Sequence, residues 1–365
     1  MTKSYTMAEI ADILGAKLIG DGAVVVTHVA HPASILEPDA LVLAMDKAFL
    51  PMLEQSAAKA AIVADETEIP ATIRASIAVG RSRVALSTLT RLFEEVVALP
   101  VGIHPTSIIE EGAIIAPDAR IGAQCFVASG AEIGAGTTLH PQVYIGPKAK
   151  IGAGGCLYSG VRIGARVEIG ARVIIHFNTS IGADGFSFVT PQMGSVESAK
   201  ATGEGGGASN TSLMRIASLG SVIIGDDVEI GANSSIDRGT IISTRIGNGT
   251  KIDNQVQIGH NVQVGDNCML CGRTGIAGSV VIGNRVVLGG AVGVADHVKI
   301  GDDSVVMAMS GVAGNLPPQS LVIGVPAKPR KKMIQDMHNL ARVKGLVEKI
   351  ADLTSRLDAL EKKEG

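Results

Sequence analysis

From Ile109 to Ile181 an aliphatic residue returns at every sixth position, thirteen times in succession, and the positions between are mostly small or polar. After a gap come Ile224, Ile230 and Ile236, then a ten-residue step to Ile246 and an unbroken six-residue march to Val312. Each of these twenty-eight positions is Ile, Leu or Val; four residues on stands, usually, Val, Ala, Ser, Thr or Cys, and Gly commonly follows the aliphatic. A period of six belongs to neither an α-helix nor an extended strand. It predicts a parallel β-helix whose short strands turn a corner every six residues, so that three hexads close one coil of eighteen. The aliphatic points inward with the small residue as its companion. Hexads of this type imply a left-handed parallel β-helix, a triangular prism of roughly nine coils stacked about 4.8 Å apart, and a chain that is mainly β.

The flanks do not repeat. Thr6 is placed to cap a helix over 7–14 that stops at Gly15. Strands are expected over 17–19, 23–29, 41–44, 60–63 and 76–79, and helices over 51–59 and 82–98, the latter capped by Ser82. Residues 1–100 therefore form a small α/β domain, and 101–325 the β-helix, interrupted by a loop at about 184–218. Residues 326–365 form a C-terminal helical segment in which Leu346, Ile350, Leu353, Leu357 and Leu360 recur at 4, 3, 4, 3 spacing, suited to packing on symmetry mates or on the chain's own prism. The run 203–208 spells a dinucleotide-type glycine pattern, but with no strand before it and no helix after it that reading is rejected.

Composition sharpens this picture. The chain is 46% apolar yet 2% aromatic, with no Trp and 45 Gly, which favours a narrow, regular solenoid over a mixed core. A net charge of −3 offers nothing to nucleic acid. No apolar run reaches membrane-span length and no apolar signal core opens the chain, so no stable membrane insertion and a cytoplasmic location are expected. The four cysteines are expected as reduced thiols. Cys268 and Cys271 spell C-x-x-C, but one occupies an inward slot and the other follows a core Leu.

The unit Gln257-Ile258-Gly259-His260-Asn261-Val262 departs from the scaffold. Eighteen residues after His260 stands Gly278 and eighteen further Asp296, beside His297, which places a Gly backbone about 4.8 Å and the Asp-His pair about 10 Å from the imidazole along one column. Asp253 and Asn254 lie one hexad earlier, around the corner. A base that titrates near neutrality and an unshielded N–H for a developing oxyanion are what acyl transfer needs. Alternatively, His260 is an outward polar residue on a wet face. His140 and His176, with Tyr158 between them, form a second outward ladder, read as an interface or wall. A shared zinc would need a third ligand; Asp302 and Asp303 stand where another His is expected, so no metal is expected.

The strings IGADGFSF (181–188), SLGSVIIGDDVEIGANSSIDRG (218–239) and IGNGTKIDNQVQIGHNV (246–262), with the ending IGVPAKP, resemble the UDP-3-O-acylglucosamine N-acyltransferases of lipid A biosynthesis. The resemblance implies a homotrimer with sites between prisms. In it an (R)-3-hydroxyacyl chain passes from acyl carrier protein to the 2-amino group of a UDP-sugar, with no tightly bound cofactor beyond the carrier's phosphopantetheine thioester. It assigns His260 as general base, Asp253 as the acid that orients it, Gly278 as oxyanion donor and His297 as a second imidazole. Asp184, Phe186 and Asn254 join the substrate-binding set. The family's F-x-x-N-P-K-Y segment, which holds uracil, falls on Leu43, Asp46 and Phe49, so one aromatic is replaced and the other lacks its hydroxyl. Within the fold the rival is a sugar-nucleotide acetyltransferase using acetyl-CoA; outside catalysis it is a β-helix that only binds a nucleotide sugar or partner.

Overall fold

The computed structural model describes residues 3–34, 37–54, 56–64, 69–95, 98–204, 212–324 and 330–364, and within them all side chains except those of Lys47, Arg330, Lys344 and 357–364. The chain folds as two compact units, Met1–Ala98 and Leu99–Gly365.

In the first unit, strands β1 (Lys17–Gly20), β2 (His28–Ala30), β3 (Ala40–Ala44), β4 (Ala60–Val63) and β5 (Ala75–Ala78) form one sheet in the order β1-β5-β4-β3-β2. Only the β1–β5 pairing is antiparallel. Helix α1 (Met7–Leu14) starts at a capping box in which Thr6 and Glu9 satisfy each other's backbone N–H, and ends on left-handed Gly15. Helix α2 (Ser82–Phe93) begins at Ser82 as expected, but Ser82 is its first residue and Arg81 its N-cap, and it makes no side-chain capping bond. It ends before Glu94, whose ψ of 126° leaves the helical region, rather than running to 98. The helix expected over 51–59 is a single turn, Leu50–Leu53. Ser56 ends it by turning its hydroxyl onto the Ala58 N–H at 3.0 Å, a local bond that competes with helix. The strand expected over 23–29 is two, Val25–Val26 and His28–Ala30.

The second unit is a parallel β-helix with three walls of nine, eleven and ten strands. Pairing always joins a strand to the one a full coil on, as in Gln257↔Gly275↔Gly293↔Gly311 on the ten-stranded wall. The inward Ile, Leu and Val residues stack into one continuous core with Ala, Val and Cys companions. Each fully buried aliphatic contributes about 1.5–3 kcal/mol of transfer free energy, and every coil repeats the gain three times. The solenoid is longer than the period shows. Gly102–Ile103 pairs with Arg120–Ile121 at one end, and Leu321–Val322 pairs with Val305–Val306 at the other. That last strand was hidden because the corner after Val312 is two residues short: Ile300 bridges Leu316 and Val306 pairs with Val322, sixteen rather than eighteen residues on, so the count of six falls out of phase.

The interruption is not a bare loop. Strand Ser180–Asp184 runs past its coil to pair Asp184 with Arg238, after which Phe188–Val189 and Met214–Arg215 form an antiparallel hairpin around helix α3 (Ser195–Thr202). The glycine-rich run lies mostly at 205–210, outside the described residues, and Gly203 is the left-handed C-cap of α3. The ten-residue step between Ile236 and Ile246 is a knuckle, 239–243, that exposes Ile241 and Ile242. A C-terminal helix α4 (Arg330–Glu364) follows. Leu346, Ile350 and Leu353 on it are each more than half exposed, so they are not packed on the chain's own prism; the Leu357 and Leu360 side chains and most of the IGVPAKP ending lie outside the described residues. Among the described residues no helix is long and apolar enough to cross a membrane.

Candidate active site

His260 sits at the corner that follows strand Gln257–Ile258, where Asn261 takes a left-handed φ of 63° to turn the chain. Core Ile258 is fully buried and pins the strand, and His260 lies past the strand's end, where the corner and not the strand alternation sets the direction of the imidazole. It is half-buried. Two glycines clamp it. A Cβ on Gly278 would lie 2.7 Å from both Cε1 and Nε2, and a Cβ on Gly185 2.6 Å from His260 Cβ and 2.9 Å from Cγ and Cδ2. Both are closer than real carbons approach, so the ring occupies space that any side chain at either position would take. Gly278 comes from the next coil, as the count of eighteen predicts. Gly185 comes from the start of the insertion, whose backbone N–H donates to Ser218 Oγ at 3.2 Å and is buried.

The imidazole's Nδ1 pairs with Asn261 Oδ1 at 2.8 Å. Asn261 Nδ2 donates to the Ile242 carbonyl at 3.2 Å, and its Oδ1 also accepts the Thr240 N–H at 3.1 Å. With Oδ1 an acceptor, Nδ1 is the donor of this bond, so in the neutral ring the lone pair is the one on Nε2. The carboxylate in electrostatic contact with the ring is Asp237, half-buried beneath Gln257, whose Nε2 donates to it at 3.2 Å. Burial pushes the Asp237 carboxyl above its ordinary range, against the smaller opposing effects of Gln257 and His260. The Gly278 N–H has no protein acceptor among the described residues, whereas the N–H of the following Ser279 donates to the His260 carbonyl at 2.9 Å.

Asp296 occupies the His260 column as counted, but its carboxylate is taken by Lys200 of α3 at 2.6 Å, a bond that holds it below the usual carboxylate range. His297 stands in the neighbouring column, with Ser279 and Asn261, each with φ near 60°; its N–H donates to the Gly278 carbonyl at 3.1 Å.

Asp253 and His260 are not hydrogen-bonded within one chain. Asp253 follows a strand of the eleven-stranded wall, and its two oxygens accept the Asn254 N–H at 2.7 Å and the Gly272 N–H at 2.9 Å. It continues the column of His140, Tyr158, His176 and Gly231. The three rings of that column stack at 4.7 and 5.1 Å with planes within 7°, and His176 Nε2 meets Glu229 at 3.1 Å. An open groove of about 540 Å³ runs beside His176, Glu229, Lys251, Asp253, Asn254 and Cys271. Asn254 Oδ1 accepts the Ala232 N–H at 2.6 Å.

Asp184 pairs with Arg215 at 2.5 Å and lies 3.9 Å from Arg238. Phe186 is 85% exposed, edge-on to Phe188. In the first unit Leu43 packs with Met7 and Ile10, while Phe49 packs with Val42 and Leu53 in a separate cluster and sets its ring edge-on to His31 at 5.0 Å. Side chains alternate along β3, so Leu43 and the Val42 that Phe49 joins face opposite sides of the sheet. The structure therefore does not bring Leu43 and Phe49 together as two walls of a base pocket. Asp46 caps the intervening turn through the Ala48 N–H at 2.9 Å.

Sequence reasoning missed Gly185, Asp237 and Asn261. All three lie inside the strings DGFSF, SIDRG and GHNV, but no period links them. Among the described residues no group of three or more His, Cys, Asp or Glu could hold a metal ion.

Residues 243–278 match the bacterial transferase hexapeptide family (six repeats). A UDP-3-O-acylglucosamine N-acyltransferase of Paracoccus denitrificans is 45% identical over 76% of this chain and 76% of its own length. One of Syntrophus aciditrophicus is 41% identical over 97% of this chain and 92% of its own. The crystal structure of an Arabidopsis UDP-N-acetylglucosamine acyltransferase, at 22% identity, superposes with a TM-score of 0.52 over 61% of this chain and 71% of that one, a likeness of fold.

Proposed function

The chain belongs to the UDP-3-O-acylglucosamine N-acyltransferase family, and from that premise we propose how its residues divide the work of N-acyl transfer in lipid A biosynthesis. The acceptor is the 2-amino group of a UDP-3-O-acylglucosamine, and the donor an (R)-3-hydroxyacyl thioester on the phosphopantetheine arm of acyl carrier protein. The amine nitrogen attacks the thioester carbonyl carbon while His260 Nε2 takes its proton. The carbonyl oxygen becomes an oxyanion held by the Gly278 N–H. Collapse forms the amide C–N bond, breaks the C–S bond and returns the proton from the imidazolium to the departing thiolate.

The observation that carries this reading is the 2.8 Å bond that occupies His260 Nδ1 and leaves Nε2 against Gly278, whose N–H has no protein acceptor among the described residues. His297, one column across, is the second imidazole of the site. A homotrimer in the cytoplasm is the working form: it would set the Asp253 corner of one prism against the His260 corner of the next, where one chain keeps them apart. The exposed Leu346, Ile350 and Leu353 stripe supports assembly. Phe186 and Asn254 flank the acceptor sugar, and Asp184 holds the insertion through Arg215.

The test is to incubate the protein with 3-hydroxyacyl carrier protein and UDP-3-O-acylglucosamine and weigh the products. A diacyl product, lost in His260→Ala, is expected. No such product, or faster turnover with acetyl-CoA, would overturn the reading in favour of an acetyltransferase or a binding module.

A further inference from the structure

The one break in the second half of the repeat, the ten-residue step at 239–243, has no use in a prism. Its place in the structure shows one. The knuckle carries the Thr240 N–H and the Ile242 carbonyl to the two ends of a single amide, that of Asn261, at 3.1 and 3.2 Å. Neither group could reach the amide from a six-residue corner. The backbone of Asn261 is held as well: its N–H donates to Thr244 Oγ1 at 3.0 Å, and that hydroxyl donates to the Asp237 carbonyl at 2.7 Å. Gln263 Nε2 ties the Ser243 carbonyl down at 2.9 Å. The amide can neither flip nor swing, and its one remaining contact is the 2.8 Å bond to His260 Nδ1.

We infer that Asn261, locked by the 239–243 knuckle, is the positioning residue that fixes the tautomer and plane of His260. An amide in this place differs from a carboxylate. It selects the Nδ1–H tautomer as a carboxylate would, yet adds no negative charge to favour the imidazolium. The carboxylate in electrostatic contact with the ring is then Asp237, half-buried on the strand before the knuckle; along the ring's own column Asp296 is paired with Lys200, and His297 stands two coils along in Asn261's column. The inference rests on His260 being the base of the reaction above.

Two variants separate positioning from folding. Asn261→Gly accepts the left-handed φ and deletes the amide; Asn261→Asp keeps the shape and places a carboxylate on the Nδ1–H. For Asn261→Gly, kcat should fall roughly 10- to 100-fold with KM within about threefold. The nitrogen-15 spectrum of histidine-labelled trimer, with His260 identified by its loss in His260→Ala, should show a mixture of tautomers. For Asn261→Asp the tautomer should be that of the wild type, most of kcat should return, and the acidic limb of kcat/KM should move to higher pH. If Asn261→Gly keeps the wild-type tautomer and kcat, or loses kcat only together with its melting temperature, the inference is overturned. A wild type that transfers no acyl chain, or an active His260→Ala, would instead defeat the assignment of the base, while the tautomer spectrum would still decide what Asn261 does.

Discussion

The ring of His260 lies where a side chain on Gly278 would be: a Cβ there would stand 2.7 Å from Nε2 and Cε1. The same glycine presents an N–H with no protein acceptor among the described residues. One residue thus makes room for the base and supplies a donor beside it. Gly278→Ala needs no unusual backbone angle, so the clash falls on the imidazole and not on the fold. Acyl transfer should drop by at least about 100-fold with the melting temperature almost unchanged. Gly185→Ala should do the same from the opposite side of the ring. Steady-state kinetics beside a thermal melt would decide; full activity in both would show that the ring is not clamped.

Asp237 is a half-buried carboxyl whose burial raises its folded-state pKa above the unfolded value. Its contribution to stability is then greatest below the ordinary carboxylate pKa, near pH 4, and is lost as pH rises through the raised value, where the poorly solvated carboxylate forms. Asp237→Asn should therefore melt higher than the wild type at pH 7, with the difference shrinking as the pH approaches 4. Melting curves across that window that run parallel would contradict this.

Lys200 and Asp296 tie helix α3 of the insertion to the column of His260 at 2.6 Å, with both side chains well exposed. Such a pair is worth within about 1 kcal/mol, so Lys200→Ala should leave global stability almost untouched. It should nevertheless free the insertion, and limited proteolysis should nick the 190–212 region sooner than in the wild type. Identical cleavage time courses would show that the pair does not hold the insertion. Asp296 is held below the usual carboxylate range, so the tie should persist to pH values under that range and fail as pH falls through the lowered value.

Ile258 is fully buried in the coil that carries His260. Ile258→Ala should cost about 2–5 kcal/mol in chemical denaturation. Because coils contact only their neighbours, hydrogen exchange should rise in the coils around 240–278 and little at the ends. Uniform loss of protection along the prism would argue against that local character.

The architecture was legible in the sequence because a coil of eighteen has a period. Inward aliphatics at every sixth position specify three walls, and the count places Gly278 and Asp296 over His260 without coordinates. The ends were less legible: a corner two residues short between Val312 and Leu316 hid the final strand, and the helix over 51–59 gave way to a serine turn at Ser56. The surroundings of His260 had no period to read. Gly185 reaches the ring from an insertion that leaves and rejoins the wall, and Asn261 is locked by a knuckle that looked like a fault in the repeat. Asp253, one hexad away in sequence, stands on another wall with partners of its own, and Leu43 and Phe49 pack in separate clusters. Repetition encodes what recurs from coil to coil through backbone pairing and apolar burial. Contacts made once, by segments that depart from the repeat, depend on where the chain returns, and only the tertiary structure decided those.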